Sequence, residues 1–286
     1  MKIGYFGINS GPLTSPQQMT TLLQCAEGAG FESVWTGEHV VVVDPQPPPS
    51  PVQPALPFVD TVATLAFAAG VTSKLKLGSG IILLAQRNPV VLAKELSSID
   101  VLSGGRLIFG VGVGYVKEEF EVIGVPYRQR GARVSEHIEA IRALWTQERP
   151  EFEGRFTKIT GVQQRPMPVQ SPHPPIIIGG GSKPAYRRAV TQGDGWYGFA
   201  LTEEQTAAGI EGLREAGREA DRESDFDRLE ISITPRDELD ADRIKRYEDL
   251  GVQRLILLAR PVAGEGEPLD AVRRFIEQTG ETLIRA

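Results

Sequence analysis

Strand-like and helix-like segments alternate along almost all of the 286 residues, and this alternation limits the folds that the chain can adopt. Eight apolar runs predict strands, and a segment with helical spacing follows each of them. The predicted strands are residues 2–9, 32–36, 75–82, 106–112, 175–179, 194–199, 228–234 and 253–259. The predicted helices are residues 15–29, 58–71, 89–102, 131–147, 182–192, 202–221, 240–250 and 268–279. Doubly wound sheets usually stop near five or six strands, so the pattern predicts an α/β fold of the (β/α)8 TIM-barrel type.

Two segments interrupt the alternation. Residues 38–57 carry seven prolines, which neither a helix nor a central strand accommodates, and long loops of this kind are typical of lids. Residues 151–174 predict a short hairpin with a proline-rich connector, inserted between the fourth helix and the fifth strand. We expect a single domain over residues 1–286.

Composition and charge exclude several classes of function. With 31 Lys and Arg against 37 Asp and Glu, the net charge of −6 is unfavourable for binding duplex nucleic acid. No apolar run reaches the roughly 18 residues of a membrane span. The single cysteine, Cys25, cannot form an intramolecular disulfide, which fits a reducing compartment. We therefore expect a cytoplasmic protein with a small-molecule substrate and neither a nucleic acid nor a membrane as partner.

In a (β/α)8 barrel the functional residues lie in loops at the C-terminal ends of the strands. The clearest pattern there follows the fifth predicted strand, where three glycines precede a serine and a helix. Glycines let the backbone approach an anion closely, and a helix N-terminus presents free N–H groups. The pattern favours a phosphate site, although a tight turn that needs glycine only for its geometry remains the alternative. The residues are Gly179, Gly180, Gly181 and Ser182.

The second predicted strand is followed by Glu38 and His39. A histidine beside a carboxylate at a strand end can transfer a proton or donate a hydrogen bond to a cofactor ring. The alternative is a histidine that only satisfies loop carbonyls. No HExxH motif or cluster of histidines predicts a metal site, and Cys25 falls within a predicted helix rather than at a nucleophile position.

The fourth predicted strand ends in the sequence GVGVG, residues 110–114. Its spacing differs from the GxGxxG of dinucleotide-binding folds, so we do not interpret it as that motif. The glycines indicate that a flat ligand ring or a neighbouring backbone approaches this strand closely.

Taken together, these segments resemble the bacterial luciferase-like oxidoreductase superfamily, and in detail its branch that uses the deazaflavin coenzyme F420. The resemblance covers nearly the whole chain. It is carried by GFESVWTGEHV at 30–40, by the glycine-rich region 75–125, by RGARVSEHIEAIRALW at 130–145, by FEGRF at 152–156, and by IIIGGGSKPAYRRAVTQGDGW at 176–196.

The resemblance implies roles for individual residues around a cofactor ring at the C-terminal mouth of the barrel. It places His39 and Glu38 beside the ring, and a non-prolyl cis peptide between Gly80 and Ile81 behind it. It also places the cofactor phosphate on the loop 179–182. The end of the fourth strand lines the ring site with Gly112, Val113, Gly114 and Tyr115.

One position departs from the resemblance. Some F420-dependent relatives carry a glutamate where this chain has Tyr115, so the resemblance does not assign the general acid. Glu118 and Glu119, one helical turn further on, are either substitutes for that glutamate or ordinary surface charges.

The function implied is hydride transfer between F420 and a small organic substrate, and the apolar residues of the lid favour a hydrophobic one. An FMN-dependent luciferase-type monooxygenase and a non-catalytic flavin-binding barrel are the alternatives. The anionic tail of F420 requires basic residues, for which Arg128, Arg130 and Arg133 are candidates unless they are paired helix charges. Relatives are often dimers, so the resemblance also implies a homodimer.

Overall fold

The structure is a computed structural model that describes residues 1–11, 14–46, 48, 52–259 and 267–284. Its strands are β1 (Lys2–Phe6), β2 (Ser33–Thr36), β3 (Lys76–Ser79), β4 (Ile82–Leu83), β5 (Leu107–Gly112), β6 (Phe152–Glu153), β7 (Lys158–Ile159), β8 (Ile176–Gly179), β9 (Gly195–Leu201), β10 (Glu230–Pro235) and β11 (Arg254–Leu258). Its helices are α1 (Pro16–Ala29), α2 (Thr61–Val71), α3 (Pro89–Ser103), α4 (Lys117–Ile123), α5 (Arg130–Thr146), α6 (Lys183–Gln192), α7 (Glu203–Glu219), α8 (Glu223–Phe226), α9 (Ala241–Asp249) and α10 (Pro268–Thr279).

Parallel pairing closes the strands into one barrel. β1 lies between β2 and β11, and the order continues from β2 through β3 to β5. From β5 the barrel runs through β8, β9 and β10 back to β11. β4 continues β3 and also pairs with β5, so these two short strands form one of eight barrel positions. The predicted (β/α)8 barrel is confirmed.

The hairpin of β6 and β7 lies outside the barrel, between α5 and β8, where the sequence predicts an insertion. Helices α4 and α8 are additional to the predicted ones. The predicted helix 58–71 begins only at Thr61, because the Asp60 side chain accepts the Ala63 N–H and caps it. Within the described residues, no helix is both long and apolar enough to cross a lipid bilayer.

The N-terminal end of the barrel is closed by a set of paired charges that we call the floor cluster: Arg254, Glu32, Glu230 and Ser232. The Arg254 side chain is 2% exposed, and its Nε lies 3.0 Å from Glu32 Oε2. Its Nη1 donates to Glu230 and, at 3.2 Å, to Ser232 Oγ. Each charge of the cluster therefore faces an opposite charge or a hydroxyl.

Candidate active site

The C-terminal end of the third barrel strand departs from regular geometry. The Gly80–Ile81 peptide bond is cis, as the resemblance implies. The Gly80 N–H donates to the Thr36 carbonyl at 2.8 Å, which ties the bend to the neighbouring strand β2. Directly before the bend, Ser79 Oγ donates to the Gly110 carbonyl at 2.8 Å and accepts the Gly110 N–H at 2.9 Å. The bend is thus bonded to strands on both sides.

Glycines on two further strands leave room for this bend. A Cβ atom on Gly112 would lie 1.8 Å from Ile81 Cδ1, and one on Gly179 would lie 2.9 Å from Ile81 Cγ2. Gly112 and Gly179 therefore form a notch that holds the Ile81 side chain. A Cβ on Gly110 would lie 1.8 Å from the Ser79 carbonyl oxygen. The close approach of the neighbouring strand, at Ser79 and Ile81, therefore explains why positions 110 and 112 are glycine.

Beside the bend, His39 follows strand β2 at the rim of the barrel. Its Nδ1 lies 3.7 Å from Glu119 Oε1, and the side chains of His39 and Glu119 are 11% and 1% exposed. The imidazole ring packs against Phe58 with centroids 5.5 Å apart, and against Tyr115 at 6.3 Å. The structure thus brings His39 and Tyr115 together, and adds a buried carboxylate from α4.

The Glu119 carboxylate is charged in spite of its burial. Burial favours the neutral form, but the neighbouring His39, the Val40 N–H and the Gln86 side chain outweigh it and hold the pKa of Glu119 below its ordinary value. Val40 N–H donates to Oε1 at 2.8 Å. A buried negative charge therefore lies next to the His39 ring.

Glu38 makes different contacts from His39. Its carboxylate accepts the Leu83 N–H through Oε2 and the Arg87 guanidinium through Oε1, with Arg87 Nε at 3.1 Å. Arg87 also donates to Asp60 at 2.7 Å. Burial raises the pKa of the Glu38 carboxyl, although Arg87 and the Leu83 N–H favour its charged form. Both carboxylate oxygens of Glu38 are thus bonded to residues that follow the bend.

Aromatic side chains surround the mouth, and we call them the aromatic wall: Phe6, Phe58, Tyr115 and Phe199. The rings of Phe6 and Phe199 lie 5.1 Å apart. Phe6 and Phe58 both approach Gly37, where an added Cβ would lie 3.4 Å and 3.5 Å from their rings. Phe199 and Tyr115 remain 47% and 45% exposed. Both rings therefore present apolar surface to the outside at this end of the barrel.

The loop from β8 to α6 lies exposed at the same end of the barrel. Gly180 has a φ of +114° and its carbonyl accepts the Trp196 indole N–H at 2.8 Å. Ser182 is the N-cap residue, yet its side chain bonds to no helix N–H. Within the described ranges, three consecutive backbone N–H groups here have no hydrogen-bond acceptor: those of Gly181, Ser182 and Lys183. This geometry suits an anion.

The segment after β5 is fixed by the start of α5. Arg130 Nε donates to the Gly114 carbonyl at 3.1 Å, and its guanidinium stacks over the Tyr127 ring at 3.8 Å. Tyr127 in turn donates to the Tyr115 carbonyl at 3.1 Å. Val113 is half-buried and packs against the core. These contacts set the position of the Tyr115 backbone at the rim.

The predicted lid is described only in part. Pro47, Pro49, Ser50 and Pro51 lie outside the described residues. Close to the barrel, the Pro57 carbonyl accepts the Gly11 N–H at 3.0 Å. The lid stays a prediction.

The sequence named Glu119, with Glu118, only as a substitute for the missing glutamate or a surface charge, and it did not single out Phe6 or Phe199. A signal for Glu119 was present, because helical spacing places it on one face with Val116, Phe120 and Ile123. No comparable signal marks Phe6, because a phenylalanine at a strand end is equally typical of the core. Among the described residues, no group of three His, Cys, Asp or Glu side chains could hold a metal ion.

A sequence model of one family, described as luciferase-like monooxygenase, matches residues 1–236. The chain belongs to this family. An uncharacterised Mycobacterium tuberculosis protein is 32% identical over 277 residues, which cover 92% of this chain and 93% of that protein.

Two similar proteins carry named activities. The FMNH2-dependent dimethylsulfone monooxygenase of Pseudomonas putida is 38% identical over 129 residues, covering 44% of this chain and 35% of that enzyme. The solved structure of an F420-dependent secondary alcohol dehydrogenase aligns with a TM-score of 0.77 and 17% identity, covering 99% of this chain and 98% of that one. The second likeness shows that the barrel is shared. The first of these proteins is named for its use of FMNH2 and the second for its dependence on F420.

Proposed function

We propose that this member of the family transfers a hydride between the deazaflavin coenzyme F420 and a small, mainly apolar alcohol, carbonyl compound or enone. The observation that carries the proposal is that the His39 ring lies next to the buried Glu119 carboxylate. His39 follows the end of β2, the strand that pairs with β3 before the Gly80–Ile81 bend. Hydride transfer to a carbonyl also requires a proton for the oxygen, and a histidine held at the mouth can supply it.

The residues present fit such a cofactor. The loop 179–182 offers free N–H groups to a phosphate, as a helix N-terminus does in other anion sites. The bend at Gly80–Ile81, held in the notch of Gly112 and Gly179, offers an apolar surface to one face of a flat ring. When bound, F420 supplies or accepts the hydride.

His39 carries the proton in this proposal. In the reducing direction its imidazolium gives a proton to the substrate oxygen, or to the carbon beside the carbonyl of an enone. In the oxidising direction the neutral imidazole takes the proton from the alcohol hydroxyl. Glu38 acts through Leu83 and Arg87, which it holds in place beyond the bend.

The aromatic wall sets the substrate class. Phe199 and Tyr115 expose apolar surface at the mouth, so they favour a substrate with a hydrocarbon body. The F420-dependent secondary alcohol dehydrogenase shows that a barrel of this shape can host alcohol and ketone chemistry in another protein.

A flavin-dependent monooxygenase is the second candidate. It is favoured by the sequence identity with the FMNH2-dependent enzyme of Pseudomonas putida, which exceeds that with the F420-dependent structure. The loop 179–182 would hold the phosphate of FMN equally well. The anionic tail of F420 requires basic residues, so the predicted arginines bear on the choice between the two candidates. Arg128 is exposed, while Arg130 and Arg133 stack over Tyr127 and Phe156.

The proposal is tested by titrating the apo-protein with oxidised F420 and with FMN, followed by ring fluorescence. We expect micromolar binding of F420 and at least tenfold weaker binding of FMN. H39N should bind F420 as the wild type does and lose about 100-fold or more in turnover with reduced F420 and a cyclic enone.

The matched control is H173N. His173 lies in the connector before β8 and packs against Trp145 of α5, so it is not one of the residues at the mouth. The variant should keep both binding and turnover. Preferential binding of FMN would instead favour the monooxygenase. Binding without any substrate-dependent redox change would favour a non-catalytic barrel.

We also propose a homodimer, as the resemblance implies. Helix α3 exposes Val91 and Leu102, at 55% and 71%, which supports an interface on that helix. Light scattering should then report twice the chain mass of 31.2 kDa. A monomeric mass would contradict it.

A further inference from the structure

Helix α4 contributes a buried carboxylate, Glu119, to which the proposed function assigns no step of its own. Glu119 shares a helix face with Val116 and Phe120, and this face packs inward while Glu118 on the same helix is exposed. A charged side chain is rarely buried unless it is paired. The burial of Glu119 therefore needs a partner, and its nearest one is the His39 ring.

The two oxygens of the Glu119 carboxylate have different surroundings. Oε1 accepts the Val40 N–H at 2.8 Å and lies 3.7 Å from His39 Nδ1. The same atom thus contacts the imidazole and the backbone directly after it. The 3.7 Å separation exceeds a hydrogen bond by about 0.5 Å, and catalytic hydrogen bonds often tighten only when ligand binds.

The other oxygen lies in an unusual environment. Oε2 is buried and has no hydrogen-bond partner in the described part of the chain. The Gln86 side chain is near this carboxylate and helps to lower its pKa, yet its own amide nitrogen and oxygen also lack partners among the described residues. The hydrogen bonds that fix this carboxylate within the described residues therefore lie on Oε1.

Other charged groups around His39 are engaged elsewhere. Glu38 and Asp60 both bind Arg87. Lys117 pairs with Glu121 on the outer side of α4, 2.7 Å apart. Among the described residues, Glu119 is the one carboxylate within ion-pair distance of the His39 ring.

We propose that Glu119 is a positioning residue for His39: its carboxylate holds the imidazole as the Nδ1–H tautomer and leaves Nε2 for the substrate oxygen. The Gln86 side chain lies beside the same carboxylate and favours its charged form. This inference rests on the proposed use of His39. A carboxylate can only accept a hydrogen bond, so it selects the tautomer whose Nδ1 carries the proton.

The tautomer fixes where the substrate proton goes. In the oxidising direction the alcohol O–H bond breaks and the proton moves to the Nε2 lone pair. The hydride on the carbon that bears this hydroxyl would pass to bound F420. In the reducing direction Nε2–H returns the proton to the oxygen as carbon receives the hydride. Nδ1–H stays on the ring throughout, next to Glu119.

The test is nitrogen-15 NMR of histidine-labelled apo-protein at a pH where the ring is neutral. The His39 signals are assigned by their loss in H39N. We expect the wild type to show the Nδ1–H tautomer of His39 and E119A to show a mixture dominated by Nε2–H. E119Q, which keeps the shape of the side chain, serves if E119A does not fold, and should show a smaller shift in the same direction. E118Q is the matched control and should show the wild-type tautomer.

Activity provides the second measurement. E119A and E119Q should lower kcat about 10- to 100-fold, as loss of an orienting partner typically does, with F420 affinity changed less than twofold. E119D should recover part of the loss. An Nε2–H tautomer in the wild type, or unchanged tautomers in both Glu119 variants, would overturn the proposal. The NMR result needs no cofactor, so it stands apart from a failure of the F420 assignment.

Discussion

The two ends of the barrel bury charge in opposite ways. At the N-terminal end, Arg254 is 2% exposed and contacts two carboxylates. At the C-terminal end, the buried Glu119 keeps one oxygen without a described partner beside an equally unpartnered Gln86. Removing charge from water is costly. Arg254 faces a carboxylate on two sides, whereas Glu119 has hydrogen-bond contacts on one oxygen alone within the described residues. The floor cluster is therefore expected to carry stability and the mouth to carry function.

Glycines on strand β5 and on helix α2 also have different surroundings. Gly110 and Gly112 on β5 have no room for a Cβ, because Ser79 and Ile81 of the bent strand occupy that space. Gly70 on α2 has open space around it. The glycines at the mouth are thus required by the shape of the bend, which the following substitutions test together with the floor cluster.

The largest effect is expected from G110A. The new Cβ would lie 1.8 Å from the Ser79 carbonyl oxygen, and backbone cannot yield as a side-chain end can. We expect a loss of roughly 3 kcal/mol or more in the free energy of unfolding, measured by urea denaturation. G70A is the control and should leave stability unchanged or raise it by up to about 1 kcal/mol. Equal stability of G110A and wild type would contradict the packing described for the bend.

R254M should be nearly as damaging. It leaves the Glu32 and Glu230 carboxylates without their shared guanidinium, and we expect a loss of about 3 kcal/mol. Because the floor cluster lies at the end opposite the mouth, F420 affinity of the folded variant should equal that of the wild type. A large change in affinity with little change in stability would reverse the division between the two ends.

The pH dependence of stability should follow the floor cluster. Burial would raise the pKa of the Glu32 carboxyl, but Arg254 outweighs it and holds the pKa below the ordinary value of 4.5. A carboxyl whose pKa is lower in the folded state stabilises the fold above its unfolded value and loses this as the pH falls through the folded value. Below about pH 4.5 the wild type should therefore lose more of its free energy of unfolding than R254M does. Parallel pH curves of the two proteins would contradict this.

F199A should affect the mouth alone. Phe199 is 47% exposed, so its removal should change the free energy of unfolding by less than about 0.5 kcal/mol. The KM for a cyclic enone should rise about fivefold, since roughly 1 kcal/mol of apolar contact is lost. V122A is the control, because Val122 is 72% exposed on the outside of α4. An unchanged KM in F199A would exclude the aromatic wall from substrate binding.

The smallest effect on stability is expected from E119Q. Glutamine keeps the acceptor for the Val40 N–H, so we expect the free energy of unfolding to change by less than about 0.5 kcal/mol. Together with its loss of kcat, this would set Glu119 apart from Arg254. A destabilisation as large as that of R254M would show that Glu119 serves the fold instead.

Much of the barrel could be predicted from the sequence because each βα unit repeats the same periodicity. The strands after β5 and the hairpin insertion lie where apolar runs and turn residues indicate them. The third strand could not be divided correctly from periodicity, because residues 75–82 read as one apolar run while the bend at Gly80–Ile81 splits it. The glycine at position 80 is compatible with an irregularity there, and the resemblance implied the cis peptide itself. Helix α4 was missed since seven residues give too short a pattern.

The candidate site was partly predictable for a similar reason. The loop 179–182 and His39 follow predicted strands directly, so topology brings them to one end. Glu119 reaches His39 from 80 positions further along the chain, and no local pattern reports such a long-range pair. The same holds for Arg87, which binds the predicted site residue Glu38 through a fold-dependent contact.

A single-turnover reaction without oxygen tests whether the protein transfers a hydride from reduced F420 with His39 as the proton donor. Apo-protein loaded with reduced F420 is mixed with a cyclic enone, and the absorbance of oxidised deazaflavin is followed in wild type and H39N. We predict that the wild type forms oxidised F420 and saturated ketone in equal amounts, and that H39N does so about 100-fold more slowly. Turnover only with reduced FMN and oxygen would contradict the account, as would equal rates in the two proteins.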